Sequence, residues 1–276
     1  MKVAIQGERG AFSHEAALLA LGADAEVLPR PSFDALFAAV VRGESECGLV
    51  PIENSLAGSI HENYDRLQAS PLHIVGETQL RIRHCLIVRP GASEAGLRRV
   101  ASHPVALAQC RRFFEEHPKL EAVAAYDTAG SVLELMRGGQ ATDGAIASAL
   151  AASLYGGAVL REGLEDDPQN YTRFLILARE PGSLETATKT SIVFTLENVP
   201  GALHKAMGAF ASRAVDLSKI ESRPLRGRPW EYAFYLDILG DPNGAAGQGL
   251  AELRSMAPAL RVLGSYPDGL KRPVSA

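Results

Sequence analysis

Short apolar runs and helical apolar stripes take turns along the first 180 residues. Val3, Ala4 and Ile5 make a short buried strand that stops at Gly7, and a helical pattern follows over 13–21. Residues 25–28 read as a second strand. Phe33, Leu36, Phe37, Val40 and Val41 recur at the spacing of one helix face, and 47–52 is a continuous apolar run again. This βαβαβ rhythm predicts a mostly parallel sheet covered by helices, an α/β architecture. It persists through strands at 72–75 and 84–88, a helix at 104–117 opened by Pro104, and a strand at 122–125. Asp127 is placed to cap a helix reaching Met136, and Ser148 opens another after a strand at 144–147. A last apolar strand covers 171–178.

The pattern changes after the polar, Pro-Gly-bearing stretch that begins near Arg179, which reads as a linker. A strand at 191–196 has Ile192, Phe194 and Leu196 on one face. A helix from Pro200 carries Leu203, Met207, Phe210 and Ala214 as its stripe. Strands at 217–223 and 230–238, a helix at 245–256 and a strand at 260–265 complete a βαββαβ order, the ferredoxin-like α+β pattern.

Composition adds exclusions. Hydrophobic residues are 46% and charged residues 22%, so the chain can bury real cores and is not disordered. A net charge of −4 predicts neither a nucleic-acid nor an anionic-membrane partner. The balance is uneven: residues 1–180 stand at −6 and the remainder at +2. Cys47, Cys85 and Cys110 are scattered and odd in number, which suits reduced thiols in the cytoplasm. No apolar stretch is long enough for a membrane span or a signal peptide core.

Chemistry in a parallel sheet collects where strands end and helices begin, because helix N-termini present free N–H groups to anions. Small polar residues gather at such junctions at 7–14, 51–55, 102–104, 127–131 and 147–148. At any one of them helix capping explains the residues equally well. Gly7 and Gly10 lack the middle glycine of a dinucleotide fingerprint, and the seven histidines show no paired metal-ligand spacing. Ser13-His14 and Ser102-His103 are adjacent pairs, whose side chains rarely face each other, and no G-x-S-x-G elbow is present. The segment Asn170-Tyr171-Thr172-Arg173-Phe174 stands out, since the arginine can bind a carboxylate and the threonine hydroxyl beside it can donate a proton or a hydrogen bond. An outward Arg and a strand-favouring Thr account for it too.

Taken together, the blocks resemble prephenate dehydratases. Asn170 to Phe174 resembles their Asn-x-Thr-Arg-Phe motif, and Gly7-x-x-Gly10-Ala11-Phe12-Ser13 their N-terminal loop. Pro51 to Ser55, Ser102 to Pro104 with Ala108 to Cys110, Asp127 to Ser131, and Ala145 to Ser148 follow in the family's order. Pro200-Gly201-Ala202-Leu203 and Glu221-Ser222-Arg223-Pro224 are similar to the two signatures of an ACT regulatory domain. The resemblance implies a bilobal catalytic domain over 1–180, similar to type 2 periplasmic binding proteins, with lobes of about 1–78 plus 157–180 and about 79–156. It places a linker at 181–188, an ACT domain at 189–267 and a tail at 268–276.

The implied reaction turns prephenate into phenylpyruvate, water and carbon dioxide. Aromatisation drives it, so no cofactor or metal is expected. Hydroxide leaves poorly, and the resemblance makes Thr172 its proton donor. Arg173 would anchor the pyruvyl carboxylate, because clamping the ring carboxylate would stabilise the ground state. Asn54, Ser55, Ser102, Thr128, Ala129 and Ser148 would complete the pocket. L-phenylalanine is the implied allosteric effector, met by Asn198, Gly201, Ala202, Leu203 and His204 and by Glu221, Ser222, Arg223 and Pro224. His204 departs from the aliphatic residue common at that position. A homodimer or homotetramer is implied. Arogenate is an alternative substrate. A solute-binding protein and a pure amino-acid sensor are alternatives of other classes; the Thr172-Arg173-Phe174 block argues against the first, and the second leaves the first 180 residues without a role.

Overall fold

The computed structural model describes residues 1–138, 142–225 and 227–270; residues 271–276 of the expected tail lie outside the described residues. The chain divides into two compact units, Met1–Asn63 with Thr78–Phe174, and Tyr64–Glu77 with Leu175–Ala276.

The chain begins with the alternation predicted: β1 (Lys2–Gln6), α1 (Phe12–Leu21), β2 (Glu26–Arg30), α2 (Phe33–Val41) and β3 (Cys47–Asn54). Then come β4 (Gly58–Ser59), α3 (His61–Ala69), β5 (His73–Arg81), β6 (Cys85–Val88), β7 (Arg99–Ser102), α4 (Pro104–Ala108) and α5 (Arg111–Glu116). They are followed by β8 (Glu121–Ala124), α6 (Thr128–Arg137), β9 (Gly144–Ala147), α7 (Ala149–Tyr155), β10 (Ala158–Glu162) and β11 (Tyr171–Ala178). One sheet runs β2-β1-β3-β11-β5 with β4 beside β3, and β1 is parallel to both neighbours. A second sheet runs β10-β6-β9-β7-β8. The predicted caps form: Asp127 accepts the Gly130 N–H at the start of α6, and the Ser148 hydroxyl accepts the Ala151 N–H at the start of α7.

Three expectations need correction. The second sheet is mixed, because β6 is antiparallel to both β9 and β10. Residues 158–162, expected in the first lobe, therefore pair with β6 in the second sheet. The single helix at 104–117 is two helices broken at Gln109 and Cys110. Asp166, from far along the chain, accepts the N–H groups of Arg111 at 3.1 Å and Arg112 at 3.0 Å, while its own N–H donates to the Gln109 carbonyl at 2.7 Å. A carboxylate taking the first free amides of α5 starts a new helix there.

The second unit holds a four-stranded antiparallel sheet in the order β13-β14-β12-β15, formed by β12 (Lys189–Thr195), β13 (Leu217–Pro224), β14 (Tyr232–Leu239) and β15 (Ala259–Tyr266). Two helices, α8 (Ala202–Ala211) and α9 (Ala245–Met256), complete the predicted βαββαβ order. Strand alternation sorts the two faces. Ile192, Phe194, Leu236 and Ile238 form a core with Ala206, Ala209, Phe210 and Leu253 of the helices. On the interleaved positions the Ser191 hydroxyl meets Asp237 and the Tyr266 hydroxyl, and the Tyr235 hydroxyl donates to the Tyr64 carbonyl at 3.0 Å. Two details differ from the pattern. Helix α8 begins only at Ala202, after Gly201 in the left-handed region, and it ends before Ala214, whose φ is 53°. Its buried positions are therefore Ala206, Ala209 and Phe210, and Leu203 is exposed. Strand β14 begins at Tyr232, because Trp230 has φ 67° and lies exposed.

Candidate active site

β3 ends on Asn54, whose side chain organises both the turn beyond it and the neighbouring strand. The Asn54 Oδ1 accepts the backbone N–H groups of Leu56 at 3.0 Å and Ala57 at 2.9 Å, the turn geometry that Asn favours. Its amide nitrogen therefore faces the other way, and donates to Asn170 Oδ1 at 2.7 Å, the Tyr171 carbonyl at 3.1 Å and Thr172 Oγ1 at 3.0 Å. Ser55 fastens the same edge: its N–H donates to the Tyr171 carbonyl, and its hydroxyl donates to the Gln169 carbonyl and accepts the Tyr171 N–H. The start of β11 is thus held against the end of β3, and Thr172 Oγ1 receives a hydrogen bond from a fixed amide. A hydroxyl that accepts a hydrogen bond is polarised and donates its own proton more readily. Thr172 and Arg173 are both nine-tenths or more buried, on opposite faces of the strand by alternation.

The chain of amides continues. Asn170 is fully buried, and its Nδ2 donates to Gln109 Oε1 at 2.9 Å. Gln109 Nε2 lies 3.5 Å from Asn54 Oδ1, which closes the ring of three amides. The His84 Nε2 meets the same Gln109 Oε1 at 3.0 Å. Phe12 stacks edge-on against the imidazole, and the His84 N–H donates to Glu165. Burial holds the His84 pKa below its usual range, outweighing the Gln109 hydrogen bond and the Glu165 charge.

The remaining predicted residues sit at junctions of the second sheet, where the hydroxyls of Ser102 and Ser148 serve backbone. Ser102 is fully buried and donates to the Ile146 carbonyl at 2.6 Å. Ser148 donates to the Gly10 carbonyl at 2.6 Å. Thr128 opens α6, with Oγ1 3.5 Å from Asp127 Oδ1, and Ala129 is buried behind it. These junctions receive the loop after β1: the Glu8 N–H donates to Asp127 Oδ2 at 2.8 Å, and the Tyr155 hydroxyl donates to the Arg9 carbonyl at 2.7 Å. Gly10 makes that docking possible. Its φ is +88°, and a Cβ there would lie 2.8 Å from the Ala151 Cα. Gly10→Ala is expected to cost roughly 2 kcal/mol or more, from left-handed strain plus the clash. Gly22→Ala carries the strain alone, since Gly22 has φ +93° and open space around it. Denaturant midpoints of the two variants check this, with Gly10→Ala the lower.

Thiol chemistry has no place here. All three cysteines are buried, and burial pushes the Cys47 and Cys85 thiols up to about 11 and Cys110 higher still.

The family model for prephenate dehydratase matches residues 3–182. The chain belongs to the prephenate dehydratase family. It is 45% identical over 281 residues to arogenate dehydratase/prephenate dehydratase 2, chloroplastic, of Arabidopsis thaliana, covering 97% of this chain and 73% of that relative. A solved prephenate dehydratase from Arthrobacter aurescens in complex with L-Phe is similar with a TM-score of 0.90 at 34% identity, over 100% of this chain and 92% of that one. A structure of GqqA, described as a novel type of quorum quenching acylase, is similar with a TM-score of 0.89 at 37% identity, over 97% and 98%.

In this prephenate dehydratase family member, the structure gathers Asn54, Ser55 and Thr172 where β3 ends and β11 begins, and leaves Ser102, Thr128, Ala129 and Ser148 at the helix starts of the second sheet. Gln109, Asn170 and His84 join the cluster, and none of the three is among the residues expected to line the site. Gln109 and Asn170 sit inside family-like motifs, and a polar amide in an otherwise apolar helix stripe is the signal that marks Gln109. In the second unit, Gly201 precedes α8 and the Asn198 Nδ2 donates to the Trp230 carbonyl at 3.4 Å. Glu221 to Pro224 lie on the edge strand β13, and β14 separates them from the turn after β12 that carries Asn198 to His204. Arg223 pairs with Asp65 at 3.2 Å beside a cavity of about 390 Å³ lined also by Gln68, Pro224 and Leu225.

Proposed function

We propose that this chain is a carbon–oxygen lyase that dehydrates and decarboxylates prephenate to phenylpyruvate in L-phenylalanine biosynthesis. The observation that carries this reading is the Thr172 hydroxyl, buried and hydrogen-bonded by the Asn54 amide at 3.0 Å. As the ring carboxylate departs as carbon dioxide, its electron pair aromatises the ring and expels the hydroxyl at the opposite carbon. Thr172 delivers the proton that turns hydroxide into water, and the Asn54 N–H steadies the oxygen it leaves behind. Solvent returns that proton, so one proton is consumed per turnover. Gln109 holds the amide ring in register, and Arg173 supplies positive charge for a substrate carboxylate in a region of net charge −6. Ser102, Thr128, Ala129 and Ser148 shape the opposite side through helix starts. No step needs a metal or cofactor.

Arogenate is the second reading, favoured by the names of the plant relatives. The acylase reading suggested by GqqA is disfavoured: the hydroxyls of Ser55, Ser102 and Ser148 each donate to a backbone carbonyl rather than to a base.

The second unit is read as an ACT domain that binds L-phenylalanine. The turn carrying Asn198, Gly201, Ala202, Leu203 and His204 and the strand carrying Glu221, Ser222, Arg223 and Pro224 are two strands apart in one chain. A second copy pairing along the free edge of β13 brings the two halves together, which supports a homodimer or a homotetramer. The L-Phe complex of the Arthrobacter aurescens relative supports the effector. Three buried, unpaired thiols suit a reducing cytoplasm.

Phenylpyruvate formation from prephenate without added metal, compared with phenylalanine formation from arogenate, tests the reading. The expected result is a higher kcat/KM for prephenate, lowered by L-phenylalanine with a concurrent rise in melting temperature. Turnover of neither substrate overturns it.

A further inference from the structure

We propose that His84 is a positioning residue, held as the Nε2–H tautomer, that fixes the carboxamide of Gln109 for catalysis. The inference rests on the dehydratase reading for its kinetic consequences but not for its structural core.

The tautomer follows from a chain of hydrogen bonds with a single consistent direction. Backbone N–H groups can only donate, and two of them, from Leu56 and Ala57, point at Asn54 Oδ1. Asn54 must then present its NH2 to Asn170, so the Asn170 atom 2.7 Å away is the oxygen. Asn170 in turn presents its NH2 to Gln109, and the atom it meets at 2.9 Å is Oε1. His84 approaches that same oxygen at 3.0 Å, so its Nε2 must carry the proton. The Nδ1 is left as a bare acceptor, and that atom is buried with no hydrogen-bond partner.

The arrangement has a purpose for Gln109. Two donors, from Asn170 and His84, converge on Gln109 Oε1. Turning the carboxamide over would set its NH2 against two N–H groups, so the amide nitrogen stays on the Asn54 side, 3.5 Å from Oδ1. His84 is 2% exposed, its backbone N–H is bonded to Glu165 at 2.9 Å and its ring is edge-on to Phe12 with centroids 5.3 Å apart. The imidazole is therefore pinned at its backbone and its face. Its pKa, lowered by burial, agrees with a neutral ring.

Two measurements test this together. Nitrogen-15 NMR of histidine-labelled protein reads the tautomer directly: a pyrrole-like Nε2 and a pyridine-like Nδ1 are expected for His84, and the reverse overturns the proposal whether or not the protein turns over any substrate. Kinetics then read the consequence. His84→Phe is expected to lower kcat by roughly 100-fold with KM within about twofold, the pattern of a misplaced group that acts in the transition state. His84→Gln, whose amide can reach the Nε2 position, is expected to recover to within about tenfold of native. In a Gln109→Ala background, His84→Phe should cost less than about twofold more, because its effect passes through Gln109. Equal losses in both backgrounds, or a His84→Gln as impaired as His84→Phe, overturn the positioning role. Native protein that turns over neither prephenate nor arogenate overturns the dehydratase reading and leaves the tautomer to the NMR result.

Discussion

Thr172→Val lowers kcat by about 10²–10⁴-fold, the range for losing a positioned proton donor. Valine keeps the branched shape and the strand preference of threonine and removes only the hydroxyl. The loss should appear in kcat and kcat/KM alike, since the proton moves only in the transition state. Stability should change little. Asn54 Nδ2 would still have Asn170 Oδ1 at 2.7 Å and the Tyr171 carbonyl at 3.1 Å, so no buried donor is abandoned. Thr172→Ser keeps the hydroxyl and should stay within about tenfold of native, the remaining loss reflecting a freer χ1. Steady-state rates with prephenate, with melting curves as the folding control, decide it. A folded Thr172→Val with near-native turnover removes Thr172 from the acid role.

The contrast between Thr172 and Gln109 shows what a linear chain displays. Thr172 is legible because its neighbours in sequence form a motif and an apolar strand at once. The caps Asp127 and Ser148 are legible for the same reason: each lies within three residues of the amide it binds. Gln109 depends on Asn170, 61 residues later, and His84 depends on Gln109, 25 residues later. No local periodicity carries such a relation. The helix break has the same origin, since its capping carboxylate, Asp166, lies 55 residues from Arg111. β10 escaped notice because its positions are half-buried or exposed, without the apolar run that marks the interior strands. Local pattern therefore reports the elements and their caps, whereas the bonds that orient the site become visible only when the strands are brought together.

Lys189 is the extreme case, and its replacement has the largest expected effect on stability. Lysine is ordinarily read as a surface residue, yet this one opens β12 with its side chain wholly buried against the equally buried Glu77. Asp268 completes the group at 2.8 Å from Nζ, and the Gly269 N–H donates to Glu77 Oε1 at 3.2 Å. Lys189→Ala would remove the ammonium from beside the buried Glu77 carboxylate, at a cost of about 3–5 kcal/mol. For a unit of this size that is on the order of 15 °C in its melting transition. Removing both charges in Lys189→Met with Glu77→Leu should recover most of the loss, because two apolar side chains need no mutual compensation. The acid side of the group has its own signature. Burial raises the Asp268 carboxyl, but the Lys189 ammonium and the Leu270 N–H outweigh it and hold it at about 2. A depressed carboxylate stabilises the folded state fully above its ordinary value of 3.8, and that contribution fades as the pH falls through about 2. The melting gap between native protein and Asp268→Asn should thus stay constant above pH 5 and close between about pH 4 and pH 2. His14 and His84, both lowered from 6.5 chiefly by burial, weaken the fold in a higher window, beginning as the pH drops below 6.5. Melting curves across both windows separate the two effects. A Lys189→Ala protein that melts with native stability at neutral pH would show that the buried pair contributes nothing to the fold.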